Sequence, residues 1–266
     1  MSANEGNGKL AVVTGGASGI GESCATLLSE QGFRIVIADR DAERASAVAS
    51  AMGATAYSVD VSDAASIERF AKRVDEECGP VAVLVTSAGI TQKPISPEEL
   101  PIEDWDRVLS VDFRGTYLCC RTFGAGMARR SGGSIVTIAS VAGSRSMPLH
   151  AYAPAKAAVI SMTKCLAAEW GRSGVRVNSV SPGYTLTPLV RDLFSSGQRD
   201  PTALVANSAF GRLVEPREVA EAVAFLASDR ASAITGVDLP VDAGWLVTPS
   251  WSTYGGLRPD RRRSDS

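Results

Sequence analysis

The chain has 266 residues, 45% of them hydrophobic and 21% charged, and 27 basic against 29 acidic side chains leave a formal charge of -2. That balance gives no electrostatic reason to expect nucleic acid or an anionic membrane as partner, and no run approaches the roughly 18 apolar residues of a transmembrane helix. The opening M-S-A-N-E-G-N-G-K has no apolar signal region, and Cys24, Cys78, Cys119, Cys120 and Cys165 are odd in number and form no C-x-x-C pair. Reduced core or helix cysteines, no metal site and a cytoplasmic location are therefore expected.

Residues 1–8 are expected to be flexible. Residues 9–14 form a short β-rich run ending in glycines and residues 33–38 form another, with a helix-like stretch at 22–31 between them, which makes one βαβ unit. The alternation returns with a strand at 54–59 and a helix at 66–78, where Ile67, Phe70, Ala71 and Val74 recur at helical spacing, and then an apolar strand at 81–86. A long helix over 102–130 leads to a strand at 134–139, and a helix over 152–171 leads to a strand at 176–181. A helix over 216–228 precedes a last strand at 237–241. Repeated β-α units predict an α/β fold of the Rossmann type, a doubly wound parallel sheet with helices on both faces, as a single domain over 9–248. Residues 184–214 hold Pro188, Gly197, Pro201 and Gly211 and are too long for an ordinary connection, which predicts a substrate-covering lid. The tail at 249–266 ends in R-P-D-R-R-R-S-D-S and is expected to be disordered at its end.

Thr14, Gly15, Gly16, Ala17, Ser18, Gly19, Ile20 and Gly21 stand where the first strand becomes the first helix. Glycines suit that place because the turn is sharp, a pyrophosphate must come close to the backbone, and free N–H groups at a helix N-terminus attract anions. Gly21 is followed by Glu22, so the run is not a Walker A loop. Asp39 ends the second strand, where a carboxylate accepts hydrogen bonds from adenosine ribose hydroxyls and repels a 2'-phosphate. The neighbouring Arg40 favours that phosphate, but Ser18 puts no basic group beside the turn, so NAD is expected in preference to NADP.

Tyr152 and Lys156, four residues apart, share one face of the helix predicted over 152–171. A cation beside a phenol favours the phenolate, which makes Tyr152 a candidate general acid/base.

With these features in order the chain resembles the classical short-chain dehydrogenase/reductase family. The resemblance runs over about residues 10–247 and rests on T-G-x-x-x-G-x-G at 14–21 and Y-x-x-x-K at 152–156. Asp60, Ala88 with Gly89, the strand-end Ser140 and the N-x-x-x-P-G segment at 178–183 add to it. It implies that Ser140, Tyr152, Lys156 and Asp112 are catalytic. Tyr152 takes the alcohol proton, Ser140 holds the substrate oxygen, and Lys156 supports the phenolate and holds the nicotinamide ribose. The implied cofactor set is Thr14, Gly15, Ser18, Gly19, Ile20, Gly21, Asp39, Arg40, Asp60, Val61, Ala88, Gly89, Tyr152, Lys156, Pro182, Gly183, Thr185 and Thr187, with Thr187 at the nicotinamide carboxamide.

Departures from the family pattern are specific. Asp112 stands where the family has an Asn whose backbone carbonyl holds a relay water, and a carboxylate near Lys156 raises the lysine pKa and partly offsets its field on Tyr152. Thr86 and Ser87 replace a pair of asparagines, Ala243 replaces the first glycine of D-G-G, and Pro154 lies inside the Tyr–Lys spacing. His150, the only histidine, is a pocket-lining or plain loop residue; Trp245, Trp251 and Tyr254 border the site, face a partner or pack the last strand. The helix over 152–171 is apolar nearly all round, and with the resemblance this implies a homodimer or homotetramer. The expected activity is interconversion of a secondary alcohol or polyol and its ketone. A 3-oxoacyl thioester reductase and a non-catalytic dinucleotide-binding regulator are the alternatives.

Overall fold

The structure is a computed structural model that describes residues 5–130, 132–197 and 200–258. In chain order it runs β1 (Leu10–Thr14), α1 (Gly19–Glu30), β2 (Arg34–Asp39), α2 (Ala42–Met52), β3 (Thr55–Ser58), α3 (Ala64–Glu77) and β4 (Val81–Thr86). There follow α4 (Ile102–Val108), a π-helical segment (Leu109–Gly115), α5 (Thr116–Arg129), β5 (Gly133–Ile138), α6 (Tyr152–Trp170) and β6 (Val175–Pro182). The chain closes with α7 (Pro188–Ser195), α8 (Pro201–Ala206), α9 (Pro216–Ala227) and β7 (Asp238–Val241).

The strands form one parallel sheet in the order β3-β2-β1-β4-β5-β6-β7. Successive side chains of a strand point to opposite faces, and here both faces are covered, which is why the strands read as unbroken apolar runs. Val13 and Ile37 join Leu28, Val223 and Leu226 in one core. Val12, Val36 and Leu84 join Ile67, Phe70 and Met127 in the other. Each of these fully buried side chains contributes about 1.5–3 kcal/mol. The expected doubly wound α/β fold is present, and its order reverses between β1 and β4, which opens a crevice at the carboxyl ends of the strands.

Three departures from the sequence reading have physical causes. Residues 40–53, given no element by periodicity, form α2: Asp41 accepts a hydrogen bond from the Arg44 N–H at 3.0 Å, and Gly53 ends the helix at φ +67. The run over 102–130 is helical throughout, but its middle widens into the π segment that carries Asp112. Residues 184–214 contain α7 and α8, and their base is closed by Leu186 N–H to Val214 O at 2.8 Å and Val214 N–H to Tyr184 O at 3.0 Å. Of the residues expected to be flexible, 1–4 lie outside the described ones, while Gly6 and Gly8 donate to Gln31 and Gly32 carbonyls at 2.8 and 3.0 Å. The expectation of disorder at 259–266 also lies outside the described residues.

Candidate active site

The glycine turn is shaped by contact with the loop after β4. Gly15 has φ +66, and a Cβ there would stand 2.6 Å from the backbone nitrogen of Ala88. Thr14 O accepts from the Ser87 N–H at 3.0 Å, so the two loops are joined where the sheet order reverses. Ser18 begins α1 with extended backbone and makes no capping bond with its side chain. The first N–H groups of α1 therefore face outward over a glycine cradle, the arrangement that receives a pyrophosphate. Asp39 holds this turn as well as facing the crevice: its Oδ2 accepts from the Ala17 N–H at 3.2 Å and its Oδ1 from the Asp41 N–H at 3.1 Å. A nicotinamide dinucleotide fits these residues.

Further round the crevice, Asp60 Oδ1 accepts from the Ser62 hydroxyl at 2.6 Å and the Ser62 N–H at 2.8 Å. Those bonds, with a smaller effect of Arg40, hold its carboxyl below the usual carboxylate range. Val61 is buried, and its carbonyl touches Gly115 at the start of α5. Opposite, Pro182 ends β6, and Gly183 packs against Asp242 after β7. The Thr185 hydroxyl donates to Gly183 O at 3.0 Å. Thr187, the N-cap of α7, stands beside Gly19, where a Cβ would meet its methyl at 3.3 Å. The beginning of the 184–214 insertion thus faces the start of α1.

The predicted reactive residues converge at the end of β5. Lys156 is 4% exposed, and its Nζ donates to Ile138 O at 3.1 Å, lies 3.2 Å from Asp112 Oδ2 and sits 5.4 Å from the centre of the Tyr152 ring. Asp112 is fully buried; its Oδ1 accepts from the Ile90 N–H at 2.8 Å, while Oδ2 meets the ammonium as an ion pair without hydrogen-bond alignment. Burial pushes the Asp112 carboxyl above its ordinary range, against the pull of Lys156. Burial alone would lower Lys156, but the Asp112 charge, with Tyr152, more than offsets it and the lysine is raised. The lysine is taken as charged, because a carbonyl oxygen, a carboxylate and a ring face all favour the cation. Gly89 makes this possible, since a Cβ there would press to 3.1 Å from Asp112 Oδ2. Ser140, two residues past β5, accepts from the Ala142 N–H at 3.1 Å, which leaves its proton free to donate.

A family model described as Enoyl-(Acyl carrier protein) reductase matches residues 15–246. A protein named D-threitol dehydrogenase from Mycolicibacterium smegmatis is 41% identical over 248 residues, covering 91% of this chain and 94% of that protein. The chain belongs to the classical short-chain dehydrogenase/reductase family. It is an oxidoreductase that works with a nicotinamide dinucleotide. A galactitol 2-dehydrogenase from Rhizobium johnstonii is 40% identical over 250 residues, covering 90% of this chain and 95% of that protein. A solved structure described as ribose-5-phosphate isomerase from Brucella melitensis 16M has a TM-score of 0.95 at 54% identity, covering 97% of this chain and 100% of that one. Cofactors vary across wider relatives: a Listeria innocua protein named NAD-dependent glycerol dehydrogenase is 36% identical, covering 90% of this chain and 94% of that protein. ElxO, 27% identical with a TM-score of 0.86 and covering 90% and 99% of the two chains, was solved with NADP bound.

Around the site of this short-chain dehydrogenase/reductase, Arg145 and Gln92, which sequence reasoning did not single out, join Trp245 and His150, which it did. Arg145 donates to Leu246 O at 3.3 Å and lies over the Trp245 ring, which meets Tyr184 edge-on with centres 5.7 Å apart. That stack joins the chain after β5, β6 and β7. An open cavity of about 450 Å³ borders the 142–150 loop and α6, lined by Arg145, His150, Pro154 and Ala157, beside Tyr152 rather than over it. Gln92 reaches the start of α6 from the loop after β4. Nothing in the local pattern of residues 87–93 signals that contact, because its partner is about sixty residues away.

Proposed function

We propose that the chain interconverts a secondary alcohol or polyol and its ketone, with NAD(H) used in preference to NADP(H). The observation that carries this reading is the Lys156 ammonium enclosed between Asp112, Ile138 O and the Tyr152 ring at the carboxyl end of the sheet. The bound nicotinamide supplies the hydride acceptor in one direction and the donor in the other. Ser140 donates its hydroxyl proton to the substrate oxygen and holds it toward Tyr152. Tyr152, as phenolate, removes the alcohol proton, and in reduction it returns one to the carbonyl oxygen. Lys156 favours the phenolate by its charge and holds the ribose, and Asp112 keeps the lysine charged. Asp39 accepts from the adenosine ribose hydroxyls, and its charge opposes a 2'-phosphate.

The polyol reading is preferred to 3-oxoacyl thioester reduction because the threitol and galactitol dehydrogenases are 41% and 40% identical over about nine tenths of the chain. A non-catalytic regulator has no need of Ser140, Tyr152 and Lys156 together. The exposed, mostly small residues of α6, among them Pro154, Ala157, Cys165 and Ala168, support a homodimer or homotetramer. The test is incubation with NAD or NADP and a panel of polyols, secondary alcohols and hydroxy acids, following reduced-cofactor absorbance. NAD-linked turnover of a polyol is expected. Cofactor-free isomerisation of ribose 5-phosphate, with no alcohol in the panel oxidised, would overturn the reading.

A further inference from the structure

Helix α6 carries both Tyr152 and Lys156, yet its own sequence cannot cap it. Its N-cap is Ala151, which has no side-chain acceptor, and Pro154 in the first turn has no N–H. The donors at this end can be counted one by one. Ala153 N–H bonds Leu149 O at 2.9 Å and Ala155 N–H bonds Ala151 O at 3.0 Å. That leaves the N–H groups of Ala151 and Tyr152. Both point at one atom, Gln92 Oε1, at 2.6 and 3.0 Å. Two converging N–H donors require the oxygen, not the nitrogen, of the amide at that place. The Gln92 Nε2 turns the other way, toward Lys93 O at 3.4 Å. Gln92 is 8% exposed and Ala151 is fully buried, so water has little access to replace the bond.

The segment that carries Gln92 also touches the glycine turn and the Asp112–Lys156 pair. Ala88 abuts Gly15 of the phosphate-binding turn, Gly89 packs on Asp112 and Lys156, and Ile90 donates to Asp112 Oδ1 at 2.8 Å. We infer that Gln92 is a positioning residue for the acid/base reaction: its side-chain oxygen caps α6 from a distance and fixes Tyr152 relative to the cofactor loop and the Asp112–Lys156 pair. This rests on the role proposed for Tyr152. The geometric part, that Gln92 holds the Ala151 and Tyr152 amides, stands apart from it.

Gln92→Leu removes the acceptor while keeping the bulk, and Gln92→Glu keeps an acceptor oxygen at the same reach. Gln92→Leu is expected to lower kcat about tenfold or more, leave the dissociation constant for NAD within about twofold, and speed hydrogen exchange at the Ala151 and Tyr152 amides. Gln92→Glu is expected to restore the amide protection and most of kcat. Should Gln92→Leu fail to fold, Gln92→Ala gives the same readouts. Wild-type kcat or unchanged amide exchange in the acceptor-free variant would overturn the inference. Full turnover in Tyr152→Phe would instead sink the acid/base reading and leave the exchange result intact.

Discussion

Asp112 Oδ2 stands 3.2 Å from Lys156 Nζ with both side chains closed to solvent, a carboxylate where the family pattern has an amide. In the wild-type chain burial lowers the lysine, and the Asp112 carboxylate together with Tyr152 more than reverses it. Asp112→Asn removes the larger of the two opposing charges and leaves burial against Tyr152 alone. The lysine is then expected to lose its proton at lower pH, and with the proposed support of the Tyr152 phenolate by its charge, the alkaline limb of the kcat–pH profile is expected to move to lower pH. Superimposable profiles for the two proteins would show that only the backbone of residue 112 matters.

The same pair governs stability at high pH. The folded pKa of Lys156 lies above its unfolded value of about 10.4, so its contribution is complete below that value and fades as pH rises through the folded one. Asp112→Asn should lose this contribution and leave an unpaired buried ammonium, at a cost of about 3–5 kcal/mol. Urea denaturation at neutral pH measures the loss, and a change below about 1 kcal/mol would contradict a buried charged pair.

Tyr152→Phe keeps the ring that faces Lys156 and removes the hydroxyl. Cofactor binding is expected to persist while kcat falls about 10²–10⁴-fold. Single-turnover rates and a cofactor titration separate the two effects.

Asp39 holds the glycine turn, and the cofactor-selecting role proposed for it gives its replacement a second expected effect. Asp39→Ser removes the charge that repels a 2'-phosphate, so the ratio of NADP to NAD dissociation constants is expected to fall about tenfold. Its shorter hydroxyl also replaces the carboxylate oxygen that accepts from the Ala17 N–H, with a loss of about 1 kcal/mol in stability. Titrations with both oxidised cofactors and a thermal melt read the two consequences.

Ala243 has φ +52, a left-handed conformation that glycine adopts more readily. Ala243→Gly is expected to raise stability by up to about 1 kcal/mol, visible as a melting temperature higher by about 2 °C. An unchanged or lower midpoint would show that the methyl group earns its place by packing.

The parallel sheet was legible because strands buried on both faces leave continuous runs such as residues 81–86, and the glycine turn because its conformation restricts the residue types. Helix α2 was not, since of its residues only Ala45 and Ala49 are buried and alanine carries little periodic signal. Pro188 and Pro201 read as loop markers, yet each stands in the first turn of a helix, where a missing N–H has no cost. The gathering of Asp112 and Lys156 followed from resemblance, but the π-helical segment around Asp112 has no composition of its own to betray it. Gln92 was hidden for a simpler reason: a cap supplied from another element leaves the helix that it serves looking uncapped.

The strand order has a consequence for how the protein is made. β1, β2 and β3 neighbour one another and are complete by Ser58, whereas the crevice needs β4 on the other side of β1, ending at Thr86. A nascent chain therefore carries its glycine turn before it carries the loop against which that turn is shaped. A half-sheet with one edge of β1 bare exposes unpaired backbone groups, the kind of edge that promotes aggregation until a neighbouring strand docks. The glycine turn and the loop that shapes it are both present only once the chain has been made some seventy residues past that turn.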